Sequence, residues 1–197
     1  MNLILFGLGN PGPAYSNTRH NIGHWFVDKF ALKQNVTFKN KESFYFCEVP
    51  FMGGNILLLK SSKFMNDNGK GLRPFLRNNS AKDHNLFLVH DELTLPLGRI
   101  KLSEKKSSAG HKGVSSVHSE LGFSPPRLRI GVGGERAETV PVSQFVLSKF
   151  TSVEALTLEN LLPNLFHSVK LMADQGLSVA MNYTNTYPLP LPKHYDN

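Results

Sequence analysis

His20 lies at the end of a long polar connection, Gly7-Leu8-Gly9-Asn10-Pro11-Gly12-Pro13-Ala14-Tyr15-Ser16-Asn17-Thr18-Arg19-His20-Asn21. An imidazole can take a proton from water near neutral pH. The side-chain amides of Asn10 and Asn21 can both donate and accept hydrogen bonds, and Tyr15 offers an aromatic face. A connection that merely turned the chain between a strand and a helix needs about 2–6 residues, so this one reads as a site. A histidine base needs an orienting acceptor, and Asp91 in His90-Asp91-Glu92 is the natural one. A carboxylate that accepts the second ring N–H fixes the tautomer. Such general-base assistance is typically worth ~10²–10⁴-fold. Glu92 has no partner visible in the sequence, and a structural salt bridge is its expected role.

Other chemistries find less support. His84, His90, Asp91, Glu92, His111 and His118 are possible metal ligands, yet none falls into a closed zinc spacing such as H-E-x-x-H, and no metal is expected. The nucleophile elbow G-x-S-x-G does not occur. With no candidate for covalent catalysis, water activated by a base is the default hydrolytic scheme. Gly7-x-Gly9-x-x-Gly12 matches a dinucleotide-binding fingerprint, which requires a helix to open at its third glycine. Here eight non-periodic residues follow Pro11-Gly12-Pro13, and the acidic residue wanted about 20 positions on would be Asp28, inside a helix. A dinucleotide-dependent enzyme is therefore kept as an alternative only.

Positioning these residues calls for alternating strands and helices. Leu3-Ile4-Leu5-Phe6 reads as a buried strand and Ile22 to Gln34 as an amphipathic helix, with Ile22, Trp25, Phe26 and Phe30 at helical spacing. Phe44–Val49 and Ile56–Lys60 read as a hairpin turning near Gly53-Gly54. A helix to about Arg77 precedes the apolar run Leu86–Val89, a central strand buried on both faces. Arg99–Leu102 is a strand, a short helix ends near Leu121, and Leu128–Val132 is a strand. A short element spans Val142–Leu147. Residues 152–181 read as helical, broken into two or three pieces by Pro163 and Gly176.

The alternation predicts an α/β fold: a single domain with a twisted, mostly parallel mixed sheet flanked by helices. Its extent is 1–184, with a Pro-rich, poorly ordered tail at 185–197. Four polar segments each follow a strand: Asn10–Asn21, Phe64–Asn66, Asp91-Glu92 and Gly110–Gly113. Ligands of open α/β sheets bind beyond the carboxyl ends of the strands, so parallel strands would bring these segments to one cleft.

The totals fit either a protein that handles an acidic partner or a merely soluble basic one. The 197 residues are 40% hydrophobic, enough for a core, and carry a formal net charge of +7, which points to nucleic acid. Cys47 is the sole cysteine, so no intramolecular disulfide forms, as suits a reducing cytosol. It reads as a half-buried hydrophobe rather than a nucleophile. No signal-type N-terminus and no run of ~18 apolar residues is present. The expected location is the cytoplasm, with no membrane contact and a monomeric state.

Five ordered motifs resemble bacterial peptidyl-tRNA hydrolase. Gly7-Leu8-Gly9-Asn10-Pro11-Gly12 through Thr18-Arg19-His20-Asn21 is similar to that family's N-terminal signature. Phe64-Met65-Asn66 with Gly69, His90-Asp91-Glu92-Leu93-x-Leu95-Pro96, Gly110-His111-x-Gly113 and Arg127–Gly131 follow in the family's order. The resemblance runs from residue 3 to about 150. It implies hydrolysis of the ester joining a peptide to the 3′ ribose of tRNA, a step in translation, with no metal or organic cofactor. By that analogy His20 activates water, Asp91 supports it, and Asn10 binds near the ester. Tyr15, Phe64, Met65 and Asn66 line the channel, with Gly110, His111 and Lys112 also in the substrate site. Lys101 and Arg129 meet tRNA phosphates. Lys112 stands where the family carries asparagine in Gly-His-Asn-Gly. An ammonium donates but cannot accept, which implies an active but slower hydrolase. The alternative is a relative that holds RNA without cutting it.

Overall fold

A computed structural model describes residues 3–51, 54–78, 85–104, 107–134 and 140–186. Its centre is a seven-stranded sheet in the order β2-β3-β4-β1-β5-β7-β6. The strands are β1 (Leu3–Gly7), β2 (Lys39–Lys41), β3 (Phe44–Phe51), β4 (Gly54–Ser61), β5 (Leu86–Pro96), β6 (Ile100–Ser103) and β7 (Arg127–Gly133). β4, β1, β5 and β7 run parallel in the middle, and antiparallel strands close both margins. The expected α/β class and mixed sheet are what the chain adopts.

β1 is apolar at every position because both its faces are covered. Leu3 and Leu5 point into a core shared with α1 (Ile22–Lys33), α5 (Ser152–Asp174) and α6 (Leu177–Thr186). Ile4 and Phe6 point into the opposite core, under α2 (Leu72–Asn78) and α3 (Lys112–Leu121). A short helix, α4 (Val142–Leu147), completes the set. α1 lies almost on the sheet's backbone. A Cβ on Gly7 would sit 2.3 Å from the Gly23 carbonyl oxygen, and one on Gly23 would sit 2.3 Å from that of Val89. Only glycine permits this approach, and it fixes the start of α1, and the residues just before it, beside the ends of β1 and β5.

Several boundaries differ from the sequence reading. β5 does not stop at Val89 but continues through His90-Asp91-Glu92 to Pro96, held by β7 beyond the apolar run. β2 is wholly polar and exposed, Lys-Asn-Lys, so no hydrophobic pattern announces it. The β3–β4 ladder closes down to Phe51 opposite Gly54, so Gly54 belongs to β4 rather than to a turn, and residue 53 lies outside the described residues. Pro163 does not break α5, a continuous 23-residue helix. Pro163 is exposed, so the carbonyl it leaves unpaired can be met by water on the convex face. The break comes at Gly176, with φ +85°. Asn185 and Thr186 finish α6 rather than begin a tail; the rest of that segment, 187–197, lies outside the described residues. Among the described residues, no helix is long and apolar enough to cross a membrane.

One buried cation ties the site loop to the C-terminal half. Arg19 gives Nη1 to Ser148 Oγ at 3.0 Å and to the Lys149 carbonyl at 2.7 Å, and Nη2 to Glu154 at 2.5 Å. Its guanidinium lies 4.7 and 5.0 Å from the ring centroids of Phe145 and Phe150. Thr18 bridges Lys149 across the same seam. Glu154 also closes a capping box with Thr151 at the start of α5. α4 is thereby fastened against the residue that precedes His20.

Candidate active site

The polar segments converge. A cavity of about 690 Å³ is lined by Asn10, Tyr15 and His20 from the β1–α1 connection and by Phe64, Met65 and Asn66 after β4. His90, Asp91 and Glu92 of β5 form its floor, and Gly110, His111 and Lys112 stand at the start of α3. Parallel pairing explains three of these arrivals, since β1, β4 and β5 end at the same edge. The fourth comes by another route. β6 is antiparallel to β7, so the chain after Ser103 runs back across the molecule before Gly110 reaches the cleft. A wall that the sequence did not reveal is α4, with Val142, Val146 and Leu147 facing the cavity. Phe64 is 54% exposed at the rim and meets the Tyr15 ring edge-on at 6.0 Å.

His20 and Asp91 are in contact. Nδ1 of His20 lies 3.0 Å from both carboxylate oxygens, so that nitrogen carries the proton and Nε2 keeps its lone pair. Asp91 is buried yet charged. Burial alone would raise its pKa, but hydrogen bonds and nearby charge from His111 and His20 hold it well below the usual carboxylate range.

His111 contributes through its tautomer. Its Nδ1 accepts the Val114 backbone N–H at 3.3 Å, capping α3. Nε2 therefore bears the proton and donates to Asp91 Oδ1 at 2.9 Å. His20, Asp91 and His111 bring ligand-type atoms within 4.8 Å of one another. A cation there would need a lone pair on His111 Nε2, and the cap demands one on Nδ1, so the trio is better suited to sharing protons than to holding a metal. The Gly-rich connection likewise lacks the cradle of a dinucleotide site. A 3-10 turn at Arg19–Asn21 and then α1 follow Gly12 only after a run of turns, and Asp28 is spent on Lys60 at 2.5 Å.

Asn10 is held on three sides. Its backbone N–H and C=O are both taken by the Asn21 amide at 2.8 Å. Its Oδ1 accepts the Met65 N–H at 2.8 Å, which leaves the Nδ2 donors for the cavity. Asn66 is exposed at the rim, while its neighbour Asn68 is fully buried behind Asn10.

The two proposed phosphate ligands part company. Lys101 is exposed on β6 but lies outside the cavity lining. Arg129 is 4% exposed, and its Nη1 is bound to Glu92 at 2.8 Å. Its placement is a correction: the guanidinium is the missing partner of Glu92, buried and ion-paired, rather than a free cation. Thr94 completes the grip on Glu92, donating its hydroxyl at 2.8 Å, and these hydrogen bonds keep the Glu92 pKa lowered against the opposing effect of burial.

His90 is the third imidazole of the site and the most buried, 2% exposed. Its Nδ1 donates to the Asp91 carbonyl at 2.6 Å, and Nε2 has no protein partner among the described residues. Burial, with His111 beside it, pushes its pKa down to about 3. The unfolded chain binds that proton first, at ~6.5, so the contribution to stability is complete above that pH. It is lost as pH falls toward 3, by up to about 1.4 kcal/mol per unit. Urea unfolding between pH 7.5 and 4.5 reads this, and His90→Phe should flatten the slope by about one proton. An unchanged slope would show that His90 does not carry it.

A family model described as peptidyl-tRNA hydrolase matches residues 4–191. The chain is similar to the peptidyl-tRNA hydrolase of Thermodesulfovibrio yellowstonii, 34% identical over 186 residues, covering 93% of this chain and 98% of the relative. It is 37% identical over 186 residues to that of Akkermansia muciniphila, covering 94% and 96%. A crystal structure of the peptidyl-tRNA hydrolase of Acinetobacter baumannii superposes with a TM-score of 0.85 at 32% identity, covering 94% of this chain and 95% of that one.

Proposed function

The chain belongs to the peptidyl-tRNA hydrolase family, and from that premise we propose that it frees tRNA by hydrolysing the ester between peptide and 3′ ribose with a His20-activated water. The carrying observation is the His20 Nδ1–Asp91 contact at 3.0 Å on the cavity floor. His20 Nε2 takes a proton as the water oxygen attacks the ester carbonyl. The developing oxyanion meets the Nδ2 donors of Asn10. The imidazolium, steadied by Asp91, then gives its proton to the departing 3′ oxygen. Neither a dinucleotide cofactor nor a purely RNA-binding role is supported.

Tyr15, Phe64, Met65 and Asn66 hold the substrate's peptide and 3′ end, and Gly110, His111 and Lys112 close the opposite side. Lys101, exposed on β6, remains the candidate phosphate contact of the two. We propose further that it works as a monomer, in translation, in the cytoplasm.

The test is release of tRNA from N-blocked aminoacyl-tRNA beside the unblocked form. Selective release from the blocked substrate is expected, and tight tRNA binding without release would sink the reading. Lys112 sets the rate within it. It is exposed at the first turn of α3, where an ammonium can donate to a peptide carbonyl but cannot accept a peptide N–H. Lys112→Asn should raise kcat/KM several-fold, about the worth of one net hydrogen bond; an equal or lower value removes the assignment.

A further inference from the structure

We propose that Asn68 is a positioning residue for the reaction, acting entirely through Asn10; this rests on the part given above to the Asn10 amide. Asn68 does not touch the cavity. It is fully buried, at 0% exposure, and every polar atom of its side chain is used. Oδ1 accepts the Gly9 N–H at 3.0 Å, while Nδ2 donates to the carbonyls of Gly9 at 2.9 Å, Lys63 at 3.0 Å and Phe64 at 3.0 Å.

Two of those carbonyls decide where Asn10 points. The Gly9 carbonyl and the Asn10 N–H are the two ends of one planar peptide unit. Asn68 holds its oxygen and Asn21 its nitrogen. The Phe64 carbonyl and the Met65 N–H are the two ends of another. Asn68 holds that oxygen, and its N–H is the donor that fixes Asn10 Oδ1. One amide thus orients both the peptide that carries Asn10 and the peptide that turns its carboxamide. With Oδ1 committed to Met65, the Nδ2 donors have one direction left.

The consequence is specific. Loosening either peptide lets the Asn10 amide swing or flip, presenting an oxygen where a donor is needed. A misplacement of this size affects the transition state more than substrate binding. A serine at 68 is too short to span both peptides, yet it keeps the position polar.

The test is a double-mutant cycle on the full chain with N-blocked aminoacyl-tRNA, kcat being referred to folded protein by circular dichroism. Asn10→Ala should lower kcat by about 10²-fold, the usual worth of one such donor. Asn68→Ser should lower it by about tenfold with KM within about threefold, and by less than about twofold once Asn10 is already alanine. The same factor in both backgrounds would overturn the proposal, since it would mark a general structural defect. An Asn10→Ala variant of unchanged kcat would instead overturn the role of Asn10, and the positioning role with it. Asn68→Thr, which keeps the volume and one donor, repeats the cycle should the serine variant fail to fold.

Discussion

Alanine at position 20 should abolish most turnover: kcat falls by about 10²–10⁴-fold, the range that general-base assistance supplies, while KM changes little. His20 is partly buried, with 13% of its side chain exposed, and its removal opens space beside the cavity without uncovering core. Asp91 keeps its second donor, His111 at 2.9 Å, so the carboxylate is not left unpaired and the fold should survive. The loss therefore belongs to the proton transfer. Single-turnover release from N-blocked aminoacyl-tRNA separates it from binding. A fall of less than about tenfold would show that another group takes the proton.

Asp91→Asn should be at least as damaging, for a reason that the third partner supplies. An amide offers one oxygen and one NH2 in place of two oxygens. His111 Nε2 is obliged to donate, because its Nδ1 is committed to the Val114 N–H, so the new oxygen turns toward His111. His20 Nδ1 is 3.0 Å from both positions, so the NH2 now competes with the shared oxygen for it and favours the ring with its proton on Nε2, the nitrogen meant to accept one. A wrong tautomer of this kind is worth about 10⁴-fold where it has been measured in a serine protease. The measurement is kcat beside the ring nitrogen chemical shifts of His20. A variant that keeps Nδ1 protonated and remains nearly active would contradict the argument.

What the sequence could reveal follows the range of each interaction. β1, the loop after it and α1 are announced by neighbours in the chain: an apolar run, paired prolines, then helical spacing. His20 and Asp91 were legible because each is a conspicuous polar residue beside such a run. The buried pairing of Arg129 is illegible because its partner, Glu92, is 37 residues away and meets it only through the β5–β7 pairing. The clamping parts played by Asn68 and Arg19 are illegible for the same reason. Their work is done on backbone and rings contributed by distant segments, and no local pattern distinguishes a buried clamp from a polar loop residue. The far half of β5 is hidden because His90-Asp91-Glu92 breaks its apolar run, although β7 pairs with the strand regardless of side-chain type.

One late contact bears on how the protein is made. β6 is the outermost strand on its side of the sheet, and the Asn185 amide covers it, accepting the Leu102 N–H at 2.9 Å and donating to the Leu102 carbonyl at 3.0 Å. That partner lies 83 residues downstream. At a synthesis rate of roughly 5–20 residues per second, the edge waits about 4–17 s for its cover. Through that interval the nascent chain carries a strand open to pairing with any other emerging from a neighbouring ribosome.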